Sequence, residues 1–233
     1  MHSFKSFMTL GLACLAAWAS PIAPDYDNRR SITDQSGAAL IERAVPNTVV
    51  VKLWEGLGRG TTVEPTYTAK MSTGILGAPS RAEVEDYAKK AYENMMKQPE
   101  ITRRESPTYL VAALYIPTTR SIYICSVPDK PAIRRIREKG ATDAPAWWSQ
   151  VQNRNPMAFH AEDGAAYLYE SSLPKKLAAG DTYPAGSFIV AWGKFKDQND
   201  ANRARLCSGG GNSPLNPPCS VVFGNLNVGF PPQ

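Results

Sequence analysis

Long hydrophobic runs are scarce in this chain of 233 residues, of which 43% are hydrophobic and 20% charged. The run over residues 7–17 is shorter than the roughly 20 residues that a membrane-spanning helix needs, which argues against a transmembrane anchor. It follows Lys5 and ends at Ala17-Trp18-Ala19, whose small residues suit a signal peptidase. We therefore predict a signal peptide over residues 1–19 and a secreted protein.

Cysteine is also scarce, and only Cys125, Cys207 and Cys219 remain once Cys14 leaves with the predicted signal peptide. Three thiols allow at most one intramolecular disulfide, which an oxidising compartment favours. We predict a bond between Cys207 and Cys219, because a short segment rich in Gly and Pro separates them, and a buried, reduced Cys125. The sequence contains no N-x-S/T sequon, so N-glycosylation is not expected.

Charge of either sign is not in large excess, since the formal net charge is +5. A modest positive charge permits an acidic partner but does not demand one. The basic cluster over residues 134–139 fits either a solvated helix face or a phosphate-binding patch. The glycine triplet at 209–211 is not followed by Gly-Lys-Ser/Thr, which argues against a phosphate-binding loop.

The periodicity of apolar residues divides the chain into segments. Residues 20–44 are polar and contain a dibasic sequence, which predicts a flexible or processed pro-segment before one domain over residues 45–233. In the first part of the domain we expect a strand over 48–54, a Gly- and Thr-rich connector over 57–77, a capped helix over 81–97, a hairpin of 109–116 with 121–127, a helix over 131–139 and a loop or helical turn around Trp147-Trp148.

The second part of the domain contains the residues that suggest chemistry. We expect a short helix opened by His160, a strand over 187–195, a polar loop over 196–205, a turn of helix over 220–223 and a last strand over 226–230. The first helix begins with His160-Ala161-Glu162, and the second follows Pro217-Pro218-Cys219. Neither motif is specific alone, because a histidine and a carboxylate at a helix start can simply be capping residues.

Together, in this order of hairpin, H-x-E helix, strand and Pro-Cys helix, the motifs resemble the cytidine deaminase-like superfamily, and its secreted or toxin-associated branch in particular. The resemblance covers about residues 107–230. It implies an α/β fold, a deaminase-like three-layer α/β/α domain with a mixed sheet of four or five strands. It also implies that His160 and Cys219 are zinc ligands and that Glu162 moves protons during catalysis.

The superfamily places its third zinc ligand three residues after the first cysteine, where this chain has Val222. Valine cannot bind zinc, so Cys207 is either a substitute third ligand or the disulfide partner of Cys219. We therefore expect a secreted, non-catalytic or divergent protein of toxin or effector type that acts outside the cell on an extracellular or host protein. The alternative is a zinc-dependent deaminase of a nucleobase, nucleotide or nucleic acid.

Overall fold

The computed structural model describes residues 30–33, 39–42, 48–54, 65–74, 77–99, 101, 109–155, 159–195, 198–207 and 217–231. The predicted signal peptide lies outside these residues. Within the predicted pro-segment, strands β1 (Arg30–Thr33) and β2 (Ala39–Glu42) pair in an antiparallel hairpin. Secretion and processing of this segment stay predictions. No helix among the described residues is long and apolar enough to cross a bilayer.

A second, six-stranded sheet forms the centre of the domain. Its strands are β3 (Lys52–Leu53), β4 (Tyr67–Ser72), β5 (Tyr109–Ile116), β6 (Ser121–Ser126), β7 (Phe188–Lys194) and β8 (Asn202–Ala204). They lie in the order β3-β4-β6-β5-β7-β8, and every neighbouring pair is antiparallel. The described helices are α1 (Arg81–Met95), α2 (Lys130–Asp143), α3 (Pro145–Val151), α4 (Ala161–Ser171) and α5 (Cys219–Asn225).

Helices cover both faces of this sheet, as the predicted three-layer arrangement requires. All eight residues of β5 are buried, and they alternate between two hydrophobic clusters. Ala113 and Ile124 face the cluster that includes α1, whereas Ala112 and Cys125 face the cluster that includes α2, α3, α4 and α5. A strand buried on both faces shows a continuous apolar run, which explains the sequence pattern of β5.

The predicted mixed sheet of four or five strands is wrong in both strand number and direction. Among the described residues, the only parallel pairing is one bridge between Phe188 and Gly229. The chain reaches Pro231 two residues later, and proline has no backbone N–H to continue a ladder of hydrogen bonds. The segment predicted as the last strand therefore makes a single bridge and no strand.

Two strands were missed because their sequences resemble loops. β4 lies in the segment predicted as a connector, and its Lys70 and Ser72 interrupt the apolar pattern. β8 is a short edge strand that begins Asn202-Arg203 within the predicted polar loop. Conversely, only Lys52–Leu53 of the strand predicted over 48–54 pairs with a neighbour. β3 and β8 are edge strands, which need one buried face at most, so their hydrophobic signal is weak. β4 lies next to the edge, and only its Tyr67 is buried, so its signal is weak as well.

The contact between α4 and β6 depends on Gly164, because a Cβ atom at this position would overlap Cys125 Sγ. We expect Gly164→Ala to lower the free energy of unfolding by about 1–3 kcal/mol, the usual cost of overpacking a core. Urea denaturation measures the change. Gly224→Ala in α5 is the matched control, since its Cβ would meet nothing within 4 Å. Equal stability of Gly164→Ala and the wild-type protein would contradict this account of the contact.

Candidate metal centre

His160 is placed by the start of α4. It is the N-cap residue, with an extended backbone, and its N–H donates to the Asp163 carboxylate over 2.8 Å. A carboxylate in the first turn also interacts favourably with the positive end of the helix dipole. The helix packs on β5 and β6, and the close approach at Gly164 brings its first turn against the end of β6. The imidazole is thus held at one end of the central strands.

The two cysteines are brought together by backbone hydrogen bonds between their segments. Cys219 is the first residue of α5, directly after Pro218, whereas Cys207 follows β8. The Cys219 N–H donates to Cys207 Sγ over 3.0 Å, and the Ser220 N–H donates to the Cys207 carbonyl over 3.4 Å. The segment after β8 therefore lies across the N-terminus of α5, and the Cys207 sulfur accepts one of the N–H groups that a helix start leaves unpaired.

The three side chains converge on one point. His160 Nδ1 lies 3.1 Å from Cys219 Sγ, and the ligand atoms of His160, Cys207 and Cys219 all lie within 4.8 Å of one another. The predicted proximity of His160 to Cys219 is confirmed, and Cys207 joins them. One imidazole and two thiolates form a donor set that suits zinc, and three protein ligands are the usual number at a catalytic zinc site.

The predicted disulfide between Cys207 and Cys219 is wrong: both cysteines are free thiols. The sulfur of Cys207 instead accepts the backbone hydrogen bond from Cys219. Cys125 is free and buried, as predicted. Neither cysteine near His160 is tied up in a disulfide, so both sulfurs are available as metal ligands.

The charges at this centre favour a thiolate at Cys207. A hydrogen bond from the Cys219 thiol lowers the pKa of Cys207, and His160 lowers it further. The pKa of Cys219 is raised, because it donates to that thiolate and is buried. The hydrogen bond with Cys207 raises the pKa of His160 to about 9, against the opposing effect of burial. Metal ligands must be deprotonated, so metal affinity should rise with pH while His160 loses its proton.

Glu162 has the environment of a proton carrier. Its side chain is buried with the residue 3% exposed, and among the described residues its Oε2 has no hydrogen-bond partner. Burial raises the pKa of Glu162 to about 7, although the neighbouring His160 holds it down. A carboxyl group with a pKa near neutrality can both accept and donate a proton under physiological conditions. A buried carboxyl group that interacts electrostatically with His160 and Cys207, and that has an unpaired oxygen among the described residues, indicates an interaction that a substrate or solvent molecule would complete.

Val222 does not take part in the centre. It lies one helical turn after Cys219 and is fully buried in the cluster beneath the sheet. The position that carries the third ligand in the H-x-E and P-C-x-x-C pattern is therefore used for packing in this chain.

Sequence reasoning missed two residues that support the centre, Arg154 and Asp163. Their side chains form an ion pair of 2.7 Å and are 1% and 0% exposed. Asp163 directly follows the H-x-E motif, and its place three residues after the N-cap is a capping signal that could have identified it. No local pattern marks Arg154, because its partners lie elsewhere in the sequence.

Compared with known proteins, the chain matches no family model, no curated protein and no solved structure.

Proposed function

We propose that this protein is a zinc-dependent hydrolase of the deaminase type, in which His160, Cys207 and Cys219 hold the metal ion. The observation that supports the proposal best is the position of Cys207. Its sulfur, the Cys219 sulfur and the ligand nitrogen of His160 all lie within 4.8 Å of one another. The sequence lacks the usual third ligand, and Cys207 provides a thiolate from a different segment. When bound, zinc would supply a Lewis acid that lowers the pKa of a water ligand toward 7, as hydrolytic deamination requires.

The order of elements also supports a deaminase. A hairpin (β5 and β6), a helix that begins after His160 (α4), a strand (β7) and a helix that begins at Cys219 (α5) come in this order along the chain, with α2 and α3 inserted before α4 and β8 before α5. This is the order on which the resemblance to the cytidine deaminase-like superfamily rests. Membership in that superfamily is part of the proposal.

Glu162 would move protons in this reaction. Its carboxylate lies two residues from His160, is buried and has an oxygen without a partner among the described residues. In a hydrolytic deamination, a base must take a proton from the attacking water, and an acid must give one to the leaving amine. One carboxyl group with a pKa of about 7 can perform both transfers in turn. The amine-bearing ring of a nucleobase or nucleoside is the substrate class that this chemistry fits.

The non-catalytic function, which the sequence favours with a deaminase as the alternative, rests on the missing ligand at Val222. With Cys207 in the group, that argument loses its premise, although a metal centre can also be purely structural. Glu162 favours catalysis, because it is buried, has an oxygen without a partner among the described residues and interacts electrostatically with His160 and Cys207, and a structural site has no use for a proton carrier. Secretion of the protein and its action outside the cell stay predictions.

The proposal is tested by metal content and by ammonia release. We expect the purified full chain to bind about one zinc ion per molecule, because the described residues offer one group of three ligands. The zinc-loaded protein should release ammonia from cytosine or adenine, as a free base, a nucleoside or a base in single-stranded nucleic acid. Removal of zinc with a chelator should stop the release. A protein that binds no zinc under reducing conditions would overturn the proposal.

A further inference from the structure

A buried ion pair connects the segments that carry two of the three candidate ligands, His160 and Cys219. Arg154 Nη1 donates to Asp163 Oδ2 over 2.7 Å, and neither side chain is more than 1% exposed. A buried charge is tolerated only when it is paired and hydrogen-bonded, so each of these residues requires the other. Arg154 follows α3, from which it is separated by one turn of the backbone, and Asp163 lies in the first turn of α4.

Each member of the pair also contacts the backbone beside a ligand. Arg154 Nη2 donates to the carbonyl of Pro217, two residues before Cys219. Asp163 Oδ2 accepts from the His160 N–H over 2.8 Å, and its Oδ1 accepts from Trp147 Nε1 over 3.1 Å. The indole thus fixes the carboxylate from the core. One ion pair therefore sets the backbone of the His160 segment and the backbone of the Cys219 segment at the same time.

The contacts require the planar, forked donor group of arginine. Two nitrogens of the guanidinium point at two acceptors, the Asp163 carboxylate and the Pro217 carbonyl. A lysine ammonium is a single point of charge on a flexible chain and does not reproduce this fork. The pair touches the backbone next to the ligands and not the ligand atoms themselves.

From this geometry we infer that Arg154, paired with Asp163, is a positioning residue that holds His160 and Cys219 in register for the metal ion. The inference rests on the proposed function, because it assumes that these side chains bind zinc. Residues behind the ligands commonly change metal affinity by about 10- to 100-fold when they are replaced. The Arg154–Asp163 pair would act in this way through the backbone on both sides of the site.

The experiment compares zinc affinity and the absorption spectrum of the Co²⁺-loaded full chain between variants. We expect Arg154→Met to weaken zinc binding by about 10- to 100-fold. The thiolate-to-cobalt charge-transfer band should also weaken, because the Cys219 segment loses its anchor to the His160 segment. Arg154→Lys keeps the charge beside Asp163 but loses the fork, so its affinity should lie between those of the wild type and Arg154→Met. If Arg154→Met does not fold, Arg154→Lys decides the test.

Glu170→Gln is the matched control. Glu170 is as buried as Asp163 and lies in the same helix, but it accepts hydrogen bonds from the Ala146 and Trp147 N–H groups and from the Tyr183 hydroxyl. The glutamine oxygen can keep the hydrogen bond from the Trp147 N–H, so the indole stays on Asp163, whereas the hydrogen bond from the Ala146 N–H is lost. The replacement should therefore destabilise the fold without changing the cobalt spectrum. If the folded Arg154 variants had wild-type zinc affinity and a wild-type cobalt spectrum, the inference would be overturned but the proposed function would not. The same holds if Glu170→Gln lost as much zinc affinity as Arg154→Met. A wild-type protein that binds neither ion would overturn the proposed function, and with it the inference.

Discussion

Replacing Cys207 by serine should lower the zinc affinity of the protein by more than about 100-fold, a larger loss than that expected for residues behind the ligands. The serine hydroxyl is smaller than the thiol and does not ionise near neutral pH, so two ligands remain where three were present. The same loss is expected for His160→Ala, which removes the imidazole nitrogen that lies 3.1 Å from Cys219 Sγ. Competition with a chromogenic chelator, under reducing conditions, measures both affinities.

Cys125→Ala is the control for these variants. Cys125 is fully buried in β6 and is not in the group of three possible ligands. The variant should bind zinc as the wild-type protein does, whatever its effect on stability. If Cys207→Ser also retained wild-type affinity, Cys207 would not be a ligand, and the centre would have too few donors for catalysis.

Glu162→Gln should reduce turnover by about 10²- to 10⁴-fold, the usual contribution of a general acid or base, and should leave zinc bound. The amide of the glutamine fills the same space as the carboxyl group of Glu162, but it neither accepts nor releases a proton near neutral pH. Since Glu162 is not among the possible ligands, metal content should not change. The measurement is ammonia release per bound zinc ion, on whichever amine-bearing base the wild-type protein deaminates.

Glu170→Gln again serves as the comparison, because it neutralises a second buried carboxylate of α4 that lies away from the ligands. It should retain most of the turnover. Loss of zinc in Glu162→Gln would assign Glu162 to the metal and not to proton transfer. Unchanged turnover in the same variant would mean that another group moves the proton.

Local signals were sufficient to predict several elements. The capping box of Ser80 and Glu83 and the helical spacing after it predicted α1, which begins at Arg81 as expected and ends at Met95. The two apolar runs around a short turn predicted the hairpin of β5 and β6 within one residue. The residues that start, end and bury each of these elements are close together in the sequence. Local patterns are therefore enough to predict them.

The candidate site was predictable only in part, because its parts lie far apart along the chain. The H-x-E and Pro-Cys motifs identified His160, Glu162 and Cys219, whose surroundings are local helix starts. The disulfide predicted between Cys207 and Cys219 was wrong, since a free thiol and a disulfide partner can have the same spacing from Cys219. Arg154 was missed, because its partners Asp163 and Pro217 are 9 and 63 positions away.

The edge strands of the central sheet also affect the tendency of the protein to aggregate through strand pairing between molecules. The strands at its two ends, β3 and β8, are two and three residues long, whereas the strands between them have six to eight. Each short strand carries an exposed cation, Lys52 in one and Arg203 in the other. Unpaired backbone groups at a sheet edge recruit strands from other molecules, and short, charged edges oppose this. Within the described part of the chain, the sheet therefore gives a second molecule little backbone on which to begin aggregation.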